Sequence, residues 1–322
     1  MIAYDKTGAV FALTQGSDLL LHDGESEGPL WQKTLDGPIV GVGVTADRVA
    51  AVTAAGMVSW FSARTGDAQQ TTKLEGSVEH AAIDAAADRI AAVTARGVVR
   101  VDKGEAKAIG DDRGTCIALA PDGTTLVGTA SELVAIALDG TRRTASAGAV
   151  QAAAHHPQGF WLVGIANKLM RWDGSSEPTH VTTLPGRCDH VACSAKAIAV
   201  GWDKKSAAVL AWPSKDTLGS LMYPERAIEG LAFGPWPWVG VSLDLGDGNK
   251  FNLQSLALHR SDTHPGREHH SWLVSVGGPP DDKPAVAPPP RAAPARPSSA
   301  GFPVGALVLL AAIAIAIFMF VR

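Results

Sequence analysis

An all-β, seven-bladed β-propeller of four-stranded blades, followed by a Pro-rich disordered linker and one C-terminal transmembrane helix, is the fold class that this sequence predicts. Three observations predict it. The segment DRVAAVTAAGMVSW, starting at Asp47, returns as DRIAAVTARGVVRV, starting at Asp88, and a repeat of about forty residues is the length of one four-stranded blade. The repeating units are rich in Val, Ile, Thr and Trp, in short runs bounded by Gly, Asp and Pro, which is the pattern of strands and turns and not of amphipathic helices. The chain ends in FPVGALVLLAAIAIAIFMFV, uncharged throughout and long enough to cross a bilayer as a helix. These observations place a propeller at 1–276, a Pro/Ala-rich linker at 277–301 and a transmembrane helix at 302–321.

From the N-terminus, the same skeleton of turn, apolar strand, Gly or polar turn and alternating strand recurs with looser identity. It is visible in AVFALTQGSDLLLHD, DGTTLVGTASELVAIALD, QGFWLVGIANKLMRWD, KAIAVGWDKKSAAVLAW and WVGVSLDLGDGNKFNLQSLAL, which with the two near-copies makes seven units. Val10, Val49, Ile90, Leu126, Trp161, Ile198 and Val239 are the expected equivalent positions, roughly 35 to 41 residues apart. Ala and Gly crowd the expected inner strands, because blades converge on a narrow axis where only small side chains fit. The segment SWLVSVGG, from Ser271, is expected to supply either an outer strand to the last blade or an inner strand to the first, beside MIAYD.

Two segments carry a family likeness. APDGTTLV, from Ala120, looks like the Pro-Asp-Gly turn that leads into a second strand, and HHPQGFWLVGIANKLMRWD, from His155, ends in the pair Trp172-Asp173. On these the chain resembles WD-repeat and related bacterial propellers over about residues 1 to 277. The Trp-Asp pair is replaced elsewhere, by Leu21-His22-Asp23, Trp60-Phe61, Val101-Asp102, Leu138-Asp139 and Trp212-Pro213. The resemblance implies a divergent bacterial WD-repeat-like propeller with a C-terminal anchor, and a habit of protein binding without an activity.

Composition narrows the function classes. The formal net charge is -4 and there is no block of Lys or Arg, so neither a nucleic-acid footprint nor a polybasic lipid patch is expected. Three cysteines, Cys116, Cys188 and Cys193, cannot make a disulfide framework and fit a reducing compartment. No Gly-x-Ser-x-Gly elbow, phosphate-cradling Gly loop or His-Glu-x-x-His pair is present. The expected inner strands VGVGV, HAAID, CIALA and VQAAA carry almost none of the Glu, Asp or Asn side chains that a propeller hydrolase points into its funnel to hold a metal. Catalytic residues, cofactors and metal ligands are therefore all expected to be none.

The residues leading into the inner strands form an expected ring on one face of the disc: Asp36, Glu79 and His80, Asp112 and Arg113, Gln151, Asp189 and His190, and Glu229. They make a mixed, acidic surface for a protein partner, against the plain alternative of solvated loop positions. Trp236 and Trp238, flanking Pro237, add an expected aromatic anchor, against the alternative of rings packed between blades. Cys188, His190 and Cys193, in RCDHVAC, lack the paired Cys-x-x-Cys spacing of structural zinc, and a strand would put Cys193 on the opposite face. His259, His264, His269 and His270 make the densest histidine cluster and read as an exposed insertion of the last blade.

Prolines and small residues from Gly277 to Gly301 predict a stiff stalk; as polyproline II, at about 3.1 Å per residue, it reaches up to roughly 75 Å. Arg291 and Arg296 precede the span, whose anchoring residues include Phe302, Leu309, Ile315 and Phe320, and only Arg322 follows it. That asymmetry, with no signal peptide at the N-terminus, predicts a cytoplasmic head. The expected function is a non-catalytic, membrane-tethered scaffold for an unidentified protein partner. The alternative is a metal-dependent hydrolase, lactonase or small-molecule sensor that uses the central funnel.

Overall fold

The computed structural model describes residues 1–23, 29–222, 227–234, 238–243, 258–260 and 271–275. All belong to the first of the chain's two units, Met1–Gly277. The expected linker and transmembrane helix, with Phe302, Leu309, Ile315 and Phe320, lie outside the described residues.

Alternating apolar runs pair in chain order into sheets. Blade 1 is β1 (Ile2–Tyr4), β2 (Phe11–Gln15), β3 (Asp18–His22) and β4 (Trp31–Thr34). Blade 2 is β5 (Ile39–Val44), β6 (Arg48–Thr53), β7 (Met57–Ser62) and β8 (Ala68–Lys73). Blade 3 is β9 (Val78–Ile83), β10 (Arg89–Thr94), β11 (Gly97–Asp102) and β12 (Glu105–Gly110). Blade 4 is β13 (Cys116–Leu119), β14 (Thr125–Gly128), β15 (Glu132–Ile136) and β16 (Arg142–Ser146). Blade 5 is β17 (Val150–His156), β18 (Phe160–Ile165), β19 (Lys168–Trp172) and β20 (Thr179–Thr183), and blade 6 is β21 (Cys188–Cys193), β22 (Ala197–Trp202), β23 (Ser206–Ala211) and β24 (Thr217–Met222).

These six are antiparallel meanders. The expectation of seven such blades is thereby corrected to six, because the remaining sheet is built differently. It holds β25 (Ile228–Phe233), β26 (Trp238–Leu243), β27 (Leu258–Arg260) and β28 (Ser271–Ser275), in the order β25-β26-β28-β27, and β27 runs parallel to β28. A parallel pair is not the product of a tight hairpin, so this sheet departs from the meander of the other six. Of the two expected closures, Ser271–Ser275 takes the first in part: it joins the last sheet, as the neighbour of β26. The ring is closed by packing of β1 on β25.

The inner strands β1, β5, β9, β13, β17, β21 and β25 stand side by side around the axis, and their small residues are there because the next strand is. A Cβ on Gly41 would lie 2.7 Å from the Cβ of Ala81, and one on Gly43 would lie 2.6 Å from Ile83 Cγ2. The second strands carry the core, with Val49, Ile90, Ile198 and Val239 all at 1 % exposure or less. Five of the seven expected equivalent positions face the preceding blade; in blades 1 and 4 that place belongs to Phe11 and Thr125, one residue away from Val10 and Leu126.

Candidate functional site

The inner strands all begin on one face of the disc, termed the upper face. In five of them the register slips by one residue at the second position, so that Val40, Glu79, Gln151, Asp189 and Glu229 are each left unpaired on the neighbouring strand. A bulge re-aims the side chain it carries and ends regular pairing. Repeated around the ring, it turns four polar residues toward the upper rim.

The axis is a channel of about 540 Å³, lined by inner-strand residues. His80, Gln151, Asp189, His190 and Glu229 line it together with small residues such as Gly41, Ala81 and Ala118. Asp36, Glu79, Asp112 and Arg113, expected with them around one face of the disc, do not line the channel: Asp36 accepts from Thr53 Oγ1 at 2.9 Å, and Asp112 pairs with Arg142 at 2.6 Å, while Glu79 and Arg113 are solvent-exposed. Trp236 lies outside the described residues, and of Trp238 only the backbone is described, opposite Ser275. Sequence reasoning missed Met1, which lines the channel and whose amino group donates to Thr14 O at 3.2 Å and Thr14 Oγ1 at 3.0 Å. Burial pulls this amine down, and the Glu229 carboxylate partly offsets it.

Two of the channel groups with metal-binding chemistry, Asp189 and His190, are already engaged. Asp189 takes Arg187 Nε on one oxygen at 2.9 Å and the Lys204 N–H on the other at 2.8 Å. His190 Nε2 donates to Ile228 O at 2.8 Å, joining blade 6 to β25. Burial holds His190 and His80 below the ordinary imidazole range, against the opposing carboxylates of Asp189 and Glu79, so both rings are neutral near pH 7. Among the described residues, no group of three or more His, Cys, Asp or Glu side chains is placed to hold a metal ion. Among the described residues, Glu79, His80, Gln151 and Glu229 keep side-chain groups free of protein hydrogen bonds, and one oxygen of Gln151 is sealed without a partner.

The RCDHVAC segment is structural. Cys188 is fully buried and Cys193 donates to His155 O at 3.0 Å across to blade 5, and burial pushes both thiols up to about 12. Cys116 behaves likewise. Of the expected histidine cluster, His264, His269 and His270 lie outside the described residues, and His259 is described only as backbone opposite Trp272.

Comparison with known proteins places the fold. No protein-family pattern and no characterised protein sequence matches the chain. Among solved structures it is similar to the β-propeller domain of Cps50 (Swd1) from Myceliophteria thermophila, with a TM-score of 0.63 and 12 % identity over 75 % of this chain and 92 % of that one. At that identity the likeness concerns the fold alone: a WD-repeat-like propeller of four-stranded blades. Among the described residues no helix is long and apolar enough to cross a membrane, and 302–321 are not among them.

Proposed function

We propose that this chain is a non-catalytic interaction platform, held at a membrane by residues 302–321 with its propeller on the cytoplasmic side, and that it docks a protein through the upper face. The observation that carries the docking surface is the repeated bulge. It sets Glu79, Gln151 and Glu229 around one rim of a rigid disc, while Asp189 and His190, two of the groups that a funnel metal would use, are engaged by Arg187, Lys204 and Ile228. Unpaired polar groups on a rigid scaffold suit recognition, since little ordering entropy is lost on docking. The tether is supported by the uncharged C-terminal run and the arginines that precede it. A WD-repeat-like fold fits a protein-interaction role.

The full-length chain is cross-linked mildly in its native membranes and its companions are identified, beside a variant truncated after Gly277 and a Glu79→Lys/Glu229→Lys variant. A stoichiometric partner is expected with the parent, absent from the charge-reversed variant, and still bound to the truncated variant but released from the membrane fraction. Equal recovery with the charge-reversed variant would remove the upper face as the docking surface. A truncated variant that still sediments with membranes would remove the tether.

A further inference from the structure

Two imidazoles are buried in the propeller with a nitrogen left over. His22 is 3 % and His156 0 % exposed, and in each Nε2 is sealed without a hydrogen-bond partner among the described residues. Each lies flat on the phenylalanine that opens the second strand of its blade. His22 stacks on Phe11 with ring centroids 5.0 Å apart and 3° between the planes, and His156 stacks on Phe160 at 4.3 Å and 9°. Burial pulls both rings down from the ordinary 6.5 to about 4, so both are neutral near pH 7.

Of the two, His156 carries a junction between blades. Its Nδ1 accepts the Gln158 N–H at 3.2 Å, so the ring proton sits on Nε2. Gln158 Oε1 in turn accepts the indole N–H of Trp212, which follows β23 in blade 6, at 3.0 Å. The Trp212 ring stands 5.3 Å from both His156 and Phe160. His156, Phe160, Gln158 and Trp212 thus close the seam between blades 5 and 6 on the face where the inner strands end. Cys193, the last residue of β21, lies at the same end of that seam, where its thiol donates to His155 O at 3.0 Å.

The charge around His156 is one-sided. His155 on its own strand and Arg171 on β19, whose guanidinium carbon is 4.3 Å from the centroid of the Phe160 ring, both oppose a proton on it. From β18 it meets Phe160 and from blade 6 Trp212, neither of them titratable, and no carboxylate among the described residues offsets the two cations. A proton on Nδ1 takes the lone pair that holds the Gln158 N–H, and leaves a charge and two N–H donors where no acceptor waits. The Gln158 turn then loses its anchor, and Trp212 loses a fixed acceptor.

We propose that His156 is an acid-sensitive latch on the seam between blades 5 and 6. Neutral, it holds the Gln158 turn against Trp212; protonated on Nδ1, it releases the turn, and blade 6 parts from blade 5 on this face. The latch stands apart from the docking proposed for the upper face and from the tether, so each can fail alone.

The sign follows from the direction of the shift. The closed seam holds the imidazole at about 4 and the open seam returns it to 6.5, so the latch is fully closed above pH 6.5 and its hold is lost as the pH falls from there toward 4. Between pH 7 and pH 4.5 the opening constant rises about fiftyfold.

Thiol labelling of the full-length chain in detergent micelles with 4,4′-dithiodipyridine, read cysteine by cysteine by mass spectrometry, tests this. Labelling of a buried thiol follows the open population when closing outruns labelling. Cys116, buried in blade 4, is the reference, because ordinary thiol reactivity and global unfolding act on both cysteines alike. In the parent the ratio of Cys193 to Cys116 labelling is expected to rise about fiftyfold from pH 7 to pH 4.5. In His156→Asn, whose side-chain oxygen still accepts an N–H but does not titrate, it is expected to stay within about twofold. Arg171→Met removes a charge that opposes the proton, so the rise is expected to begin nearer neutral pH, a displacement that misfolding cannot imitate. A constant ratio in the parent, the same rise in His156→Asn, or an unmoved profile in Arg171→Met would overturn the proposal.

Discussion

Blades 2 and 3 are near-copies in sequence, yet their third strands sit one residue out of register with each other. Val49 pairs with Phe61, whereas Ile90, the residue matching Val49, pairs with Val101, one position short of the match to Phe61. The hairpins account for the slip. Ala54, Ala55 and Gly56 separate β6 from β7, but only Ala95 and Arg96 separate β10 from β11. A one-residue slip exchanges the faces of a strand. Trp60 therefore faces forward and donates to Ala87 O in blade 3 at 2.8 Å, while its match Val101 faces back into the same apolar cluster as Trp60. Arg100 takes the forward slot instead, and donates to Gly123 O at 3.4 Å, Ala137 O at 3.3 Å and Leu138 O at 3.1 Å in blade 4. In the register of blade 2, Arg100 would point at Trp60 and Ile90 with no carbonyl to meet, at the cost of a buried unpaired charge. The junction with the next blade, and not the repeat itself, decides the register.

Arg100→Met breaks that comparison hardest. Arg100 is 6 % exposed, so methionine fills the slot but takes the donor from the Gly123 and Leu138 carbonyls, while Ala137 O keeps the Gly140 N–H at 3.1 Å, and the expected loss is about 2–3 kcal/mol in chemical denaturation of the full chain. Relief of the guanidinium's own burial, which already pulls its pKa down, keeps the figure from being larger. A loss under about 0.5 kcal/mol, the range of ordinary surface substitutions, would mean that apolar packing alone holds the junction.

At the preceding junction the expected effect is smaller. Trp60→Phe keeps most of the ring and removes one hydrogen bond to Ala87, for an expected loss of about 1–2 kcal/mol from the orphaned carbonyl and the missing ring atoms. If Trp60→Phe proved as costly as Arg100→Met, the two forward slots would be equivalent in energy as well as in place, and the register slip would have no energetic reason in the donor it presents.

The propeller was legible because a blade is a local object: a hairpin and two further strands announce themselves by alternation and turns, and the near-repeat gives the period. The slip between blades 2 and 3 was not, since it depends on which carbonyls the neighbouring blade offers. Val10 and Leu126 were each one residue from the true equivalents for a similar reason: identity of runs does not fix pairing. The upper ring was legible in part, as the residues before each inner strand do share a face. That Asp112 is paired there was not legible, because its partner Arg142 is thirty residues on. The last sheet was misjudged because its β27–β28 pairing is parallel, which no local alternation reports.

The smallest effect tests the part of the repeat that did survive. The Asp-Arg that opens both near-copies is used differently: Arg48 pairs with Asp88 of the next blade, while Arg89 reaches Asp102 within its own blade at 3.6 Å and Pro121 O of the next at 3.4 Å. Arg48 is 38 % and Asp88 49 % exposed at the side chain, so water screens the pair, and Arg48→Ala is expected to cost about 0.5 kcal/mol at low salt. Most of that should vanish near 1 M salt, where the screening length falls to about 3 Å. Arg89→Ala should cost a similar amount with a weaker salt dependence, because one of its contacts is to a neutral carbonyl and its side chain is 28 % exposed. Identical salt profiles for the two variants would show that the shared sequence, and not the differing junctions, governs how these arginines act.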